Sequence, residues 1–301
     1  MGIDPSQVRG VYPILYAFFD KQGKLDRGLM RRQAQACVKH NPHGIAALGL
    51  ATEVTKLSTA ERRQVMEWLV EDVAGACPIA ITIAEPTVQG QADFAKAADQ
   101  LGVDFVILQP PPVAGLPEGE YVRFFGSVAE KVSIPVAIQN AAAYIGVGLS
   151  IDGLKTLNRN HPNVSLLKGE GPAIEIAGLV DATDGVFRVL NGRGGLEFPD
   201  NLRGGCVGMI PAPDCFDRQI DLYKAFEEGR VEDMEAIYRE ILPVIIFCMQ
   251  SVQNFLCYGK RITALRMGLT LDQVHDRAPA QQPTRHGLEW LQRYAGELGA
   301  F

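Results

Sequence analysis

The feature that most constrains this chain is an alternation. Short apolar runs are each followed by a longer segment of helical character, and the cycle repeats through most of the sequence. The runs span residues 11–16, 44–50, 78–83, 104–108, 135–139, 164–168, 187–191 and 206–210, which makes eight strand candidates. Amphipathic stretches separate them, such as 26–39, 59–73, 89–101, 118–131 and 151–158, with Ser58 and Ser150 placed as helix caps. Apolar strands joined by helices require a parallel sheet covered on its outer face. An open doubly wound sheet has fewer strands and a glycine-rich loop after its first one, whereas here the first run continues into Ala17-Phe18-Phe19-Asp20. The expectation is an α/β chain, a (β/α)8 TIM barrel over residues 1–229 with a C-terminal helical domain over 230–301. That tail reads as helices at 231–241, 243–267 and 287–298, and Ile245-Ile246-Phe247 reads equally as a subunit contact or an internal seam.

Composition narrows the class of function. With 301 residues, 47% of them hydrophobic and 21% charged, there is ample material for a large core. The net charge of −6 has no long run of one sign behind it, so neither nucleic acid nor an anionic membrane is an expected partner and a small molecule is. No apolar stretch approaches the roughly 20 residues of a membrane span. The opening Met1-Gly2-Ile3-Asp4-Pro5 lacks the regions of a secretory signal, so a cytoplasmic location is expected. Six scattered cysteines suggest reduced, packed thiols, and the five histidines show no ligand spacing, so neither a metal nor another cofactor is implied.

In barrels of this kind chemistry sits where strands end. Those positions hold Thr52 and Glu53 after the second run, Glu85 after the third, Gln139 and Asn140 at the fifth, Lys168 and Glu170 at the sixth, and Gly192-Arg193-Gly194-Gly195 after the seventh. Lys168 closes the apolar run Val164-Ser165-Leu166-Leu167. Desolvation there favours a neutral, nucleophilic amine, the form that attacks a keto group. Taken alone, such a lysine more often packs its stem and sends its ammonium to water. Residues two apart on a strand share a face, so Lys168 and Glu170 are expected side by side.

Together these landmarks resemble the dihydrodipicolinate synthase and N-acetylneuraminate lyase superfamily of Schiff-base-forming barrel enzymes. The resemblance is carried by Arg9-Gly10-Val11, the 49–57 segment, Pro110, Lys168, Gly192, Gly208-Met209-Ile210 and the 260–268 segment. It implies Lys168 as the Schiff-base lysine, a 2-keto acid as substrate, Gly192 and Ile210 beside that substrate, and a homotetramer. The departures matter as much. Gln139-Asn140 stands where the superfamily carries Tyr-Asn, Leu50 and Ala51 replace the paired threonines, and Tyr144 takes the place of a carboxylate-binding arginine. Lysine biosynthesis is therefore not expected. A narrower branch, similar to 2-keto-3-deoxy-L-arabonate dehydratase, shares the glutamine before an acidic or amide residue, the Lys-x-Glu at Lys168-Gly169-Glu170 and the Ser/Thr-Glu pair at Thr52-Glu53; Glu85 replaces its histidine.

The resulting expectation is dehydration of a 2-keto-3-deoxy sugar acid. Lys168 forms the imine and Glu170 serves as acid and base. Gln139 and Asn140 hydrogen-bond the substrate, and Thr52, Glu53 and nearby amides hold its carboxylate or hydroxyls. A pyruvate-dependent aldolase or synthase is the nearest alternative. Two further readings are a catalytically silent keto-acid binder and a glycosidase-like set of carboxylates at Glu53, Glu85 and Glu170.

Overall fold

The computed structural model describes residues 2–301. In chain order the elements are β1 (Gly10–Val11), α1 (Arg27–Lys39), β2 (Ile45–Ala47), α2 (Thr59–Val73), β3 (Ile79–Ile83), α3 (Val88–Gln100), β4 (Phe105–Leu108) and α4 (Glu118–Ala129). They continue with β5 (Val136–Asn140), α5 (Ala142–Ile145), α6 (Ile151–Asn160), β6 (Val164–Gly169), α7 (Ala173–Ala182), β7 (Arg188–Asn191), α8 (Phe198–Arg203) and β8 (Gly208–Met209). The last are α9 (Phe216–Glu227), α10 (Val231–Cys248), α11 (Val252–Asn254), α12 (Lys260–Arg266) and α13 (Arg285–Leu298). Each of the eight expected runs overlaps a strand, the first only at Val11. The first and last strands are only two residues long, because Pro13 and Pro211 just beyond them have no N–H for a ladder.

The chain divides into two compact units. One holds the residues up to Gly10 and Pro78–Ile210, the other Val11–Cys77 and Pro211–Phe301. In the first, β3 to β8 pair in parallel, each with its successor. Every residue of β3 and β4 is buried, as expected of strands covered on both faces. The Gly10 N–H donates to Val207 O (2.8 Å), and a Cβ on Gly208 would overlap the Gly10 backbone, so β8 approaches the start of β1 through a glycine. The cap expected at Ser150 is present on α6, its hydroxyl accepting from Gly153 N at 3.1 Å.

In the second unit α2 opens on a full capping box between Ser58 and Glu61. Arg27 of α1 makes a two-pronged bond to Asp72 of α2 (2.5 and 2.7 Å). Helix α10 does not stop at Pro243, where the pattern suggested a boundary, but runs through it to Cys248. The ring removes the N–H that would reach the carbonyl of Arg239, an exposed residue on the wet side of the helix. Val244, Cys248, Cys257, Tyr258, Ile262 and Leu291 form a shared apolar cluster. Ile245 is buried while Ile246 is half exposed beside a cleft of about 370 Å3 that Phe247, Trp290 and Tyr294 also line. One helical step of 100° separates the two isoleucines, so the apolar triplet serves both inside and outside. Among the described residues no single helix is long and apolar enough to cross a membrane.

Candidate active site

Strand register assembles the site in the first unit. Ile138 of β5 pairs with both Leu108 of β4 and Leu167 of β6, and Gln139 pairs with Lys168. Paired residues of parallel strands point to one face, so Gln109, Gln139 and Lys168 emerge in a row across three neighbouring strands. Glu170 lies two residues beyond Lys168 and keeps that face, its N–H extending the ladder to Asn140 O at 3.0 Å. Lys168 pairs with Leu190 and Gly169 with Asn191, which brings Gly192 beside Glu170. A Cβ on Gly192 would overlap the Glu170 carboxylate, so the glycine leaves room for Glu170 to lie where it does.

The side chains form one connected chain of contacts. Gln109 Nε2 donates to Gln139 Oε1 at 2.9 Å, and Gln139 Nε2 donates to Glu170 Oε2 at 2.7 Å. The other carboxylate oxygen, Oε1, lies 3.4 Å from Lys168 Nζ. Lys168 is 3% and Glu170 8% exposed, so amine and carboxylate face each other in a largely dry setting where their interaction is strong. A nucleophile and a carboxylate at this spacing suit imine formation followed by proton transfer at the adjacent carbon. The sequence-based pairing of Lys168 with Glu170 thus has the contact it requires, and Gln139 adjoins them.

Other expected residues have their own places. Asn140 braces the loop after β5, donating to Leu149 O (3.0 Å) and accepting from Leu149 N (2.7 Å). Ile210 is buried and its N–H donates to Asn191 O at 2.7 Å. Glu85 is buried at the end of β3, and Gln91 Nε2 donates to its carbonyl at 3.0 Å. Arg193, in left-handed backbone (φ 54°), pairs with Glu197 at 3.0 Å. Its Nε and Glu197 Oε2 are buried without hydrogen-bond partners. Tyr144 senses the same groups: burial raises its phenol's pKa, the Glu170 and Glu197 carboxylates add to this, and Arg193 opposes it. The sequence reading omitted Gln109 and Glu197. A polar residue ending the fourth apolar run was the available signal for Gln109; nothing local marks Glu197.

Thr52 and Glu53 belong to the second unit. The Thr52 hydroxyl, fully buried, donates to Leu15 O (2.6 Å) and accepts from Leu48 N (2.9 Å). Glu53 has left-handed backbone (φ 54°), and its carboxylate joins Lys56 (2.5 Å) and the fully buried Lys260. Lys260 also reaches Asp276 (3.4 Å), which binds Arg261 at 2.6 Å. Lys260 opens α12 directly after one π-helical turn, Phe255–Gly259.

The cluster thus sits at the strand ends, where (β/α)8 barrel enzymes carry their chemistry. The chain belongs to the dihydrodipicolinate synthetase family, whose model matches residues 7–285. It is 27% identical over 248 residues to L-2-keto-3-deoxyarabonate dehydratase of Azospirillum brasilense, covering 79% of this chain and 78% of that protein. It is also 27% identical over 240 residues to 4-hydroxy-tetrahydrodipicolinate synthase of Methanosphaerula palustris, covering 78% and 82%. The solved Ruminococcus gnavus sialic acid aldolase, as a catalytic lysine mutant, superposes with a TM-score of 0.89 at 20% identity, covering 99% of this chain and 97% of that one. The fold is thus the expected α/β barrel of eight strands with C-terminal helices, and the protein is a lyase or aldolase of this family.

Proposed function

We propose that this protein is a Schiff-base-forming dehydratase of a 2-keto-3-deoxy sugar acid. The observation that carries the reading is the buried Lys168–Glu170 pair (3.4 Å) with an amide, Gln139, bonded to the carboxylate at 2.7 Å. Lys168 Nζ attacks C2 of the keto acid, and loss of that oxygen as water leaves a protonated imine. Glu170 removes a proton from C3, and the C–H electron pair forms the C2–C3 double bond as the imine π pair moves onto nitrogen. The enamine then expels the C4 hydroxyl, which takes the proton back from Glu170 and leaves as water. The unsaturated imine is hydrolysed, which frees Lys168. Thus one carboxylate serves both proton transfers, and the net change is loss of one water.

Cleavage of the C3–C4 bond would instead need a base at the C4 hydroxyl. Gln139 cannot accept that proton, since an amide does not titrate in the useful range. The dehydratase name of the A. brasilense relative supports the same choice, and the catalytic lysine of the R. gnavus aldolase supports the role of Lys168. The synthase relatives keep a pyruvate-dependent aldolase as the second reading.

Borohydride reduction followed by intact-mass measurement tests the proposal. Wild type should form adducts with pyruvate and with a 2-keto-3-deoxypentonate, and Lys168→Ala should form neither. Turnover should yield a product one water lighter than the pentonate, with no pyruvate released. Released pyruvate would establish the aldolase, and absence of any adduct would sink the Schiff-base mechanism.

A further inference from the structure

We infer that Gln109 is a positioning residue that anchors the Gln139 amide by its oxygen and thereby aims the Glu170 carboxylate at C3 of the imine. This rests on Glu170 as the C3 base. The side-chain amide of glutamine has a donating and an accepting end and can turn end for end, so its direction is set by its neighbours. Gln109 Nε2 occupies Gln139 Oε1 at 2.9 Å, which leaves Gln139 Nε2 for Glu170 Oε2 at 2.7 Å. The carboxylate only accepts, so Gln139 turns its nitrogen to Glu170 and its oxygen to Gln109, whose donor then holds that oxygen in place. The chain Gln109 to Gln139 to Glu170 therefore has a single direction.

Gln109 itself is tied down by its backbone. Its N–H donates to Ile83 O at 3.0 Å, and its carbonyl accepts from Gln91 Nε2 at 2.8 Å. Gln91 is fully buried and bridges to Glu85 O with the same nitrogen, so the end of β4 cannot drift from the end of β3. At the other end, Glu170 Oε1 lies 3.4 Å from Lys168 Nζ. The carboxylate is thus held by one oxygen from the amide and by the other from the amine, which fixes its plane. Removing Gln109 releases Gln139 Oε1, so the amide can swing and its hold on Glu170 Oε2 loosens. Gln139 and Glu170 stand between Gln109 and the amine in this series of contacts, so imine formation should be spared.

Exchange of the methyl protons of pyruvate with deuterium, followed by proton NMR, reads the C3 proton transfer without any sugar acid. Exchange breaks the C3–H bond of the imine, passes the proton to Glu170 and returns a deuteron by the reverse path. Borohydride trapping in parallel measures the imine. Gln109→Met, similar in length but without a donor, should trap as much imine as wild type and exchange about ten-fold more slowly. Gln139→Met should slow exchange at least as much, and the double variant should be no slower than Gln139→Met alone, because the two act as one unit. Unchanged exchange in Gln109→Met, loss of its imine, or effects that multiply in the double variant would each overturn the inference. Imine without exchange in wild type would instead remove Glu170 as the base, and this inference with it.

Discussion

Gly192→Ala is the smallest change that should separate the two halves of the proposed chemistry. A methyl built there lies 2.8 Å from Glu170 Cγ and 2.9 Å from Cδ, with Oε1 closer still, whereas ordinary contact begins near 3.4 Å. Glu170 must retreat by about half an ångström at those carbons and, by leverage along its side chain, roughly 1 Å at the oxygens. That displacement is enough to lose the 2.7 Å bond from Gln139 and to open the 3.4 Å contact with Lys168. A misplacement of this size costs on the order of 100-fold in a proton transfer. Overpacking adds about 1–3 kcal/mol of destabilisation, a drop of several degrees in Tm. The assay is deuterium exchange into pyruvate beside borohydride trapping, with a thermal melt on the same samples. The expected result is near-normal imine, exchange about 100-fold slower and a folded protein. Exchange within three-fold of wild type in a folded variant would refute the claim that Glu170 acts from the position seen.

Two predictions concern stability in the second unit. Burial raises the pKa of Asp214 to about 6, the Arg266 guanidinium and the Tyr16 hydroxyl opposing the shift. Between about pH 4 and 6 the unfolded chain has released this proton and the native state retains it, so stability falls as pH rises through that window, by about 3 kcal/mol. Asp214→Asn removes this loss, and urea unfolding at pH 4.5 and 7.5 should show the variant gaining on wild type at the higher pH; a constant difference would refute the assignment. Lys260→Met removes a fully buried amine from Glu53 and Asp276, but each carboxylate keeps a second cation, Lys56 at 2.5 Å and Arg261 at 2.6 Å. The loss should therefore be about 2–3 kcal/mol, below the ~3–5 of an orphaned buried charge. A loss under about 1 kcal/mol by chemical denaturation would show that the ion pairs only offset their own desolvation.

What was legible in the sequence was what depends on neighbours along the chain. The eight apolar runs, the caps at Ser58 and Ser150, and the shared face of Lys168 and Glu170 follow from periods of two and 3.6 and from local hydrogen bonding. The family resemblance rested on the same short motifs, and its landmarks lie within the matched residues 7–285. Tertiary structure alone decided how separate runs meet. Gln109 and Gln139, thirty residues apart, touch because parallel pairing sets β4 against β5 in one register. Lys260 reaches Glu53 across 207 residues of chain, a pairing that charge pattern cannot announce because either residue alone reads as a surface charge. Helix α10 passes Pro243 because packing of Val244, Cys248 and their partners outweighs one lost backbone bond. Local pattern determines which face a residue takes; which residues share that face is settled by burial summed over the whole core, and no single segment contains that sum.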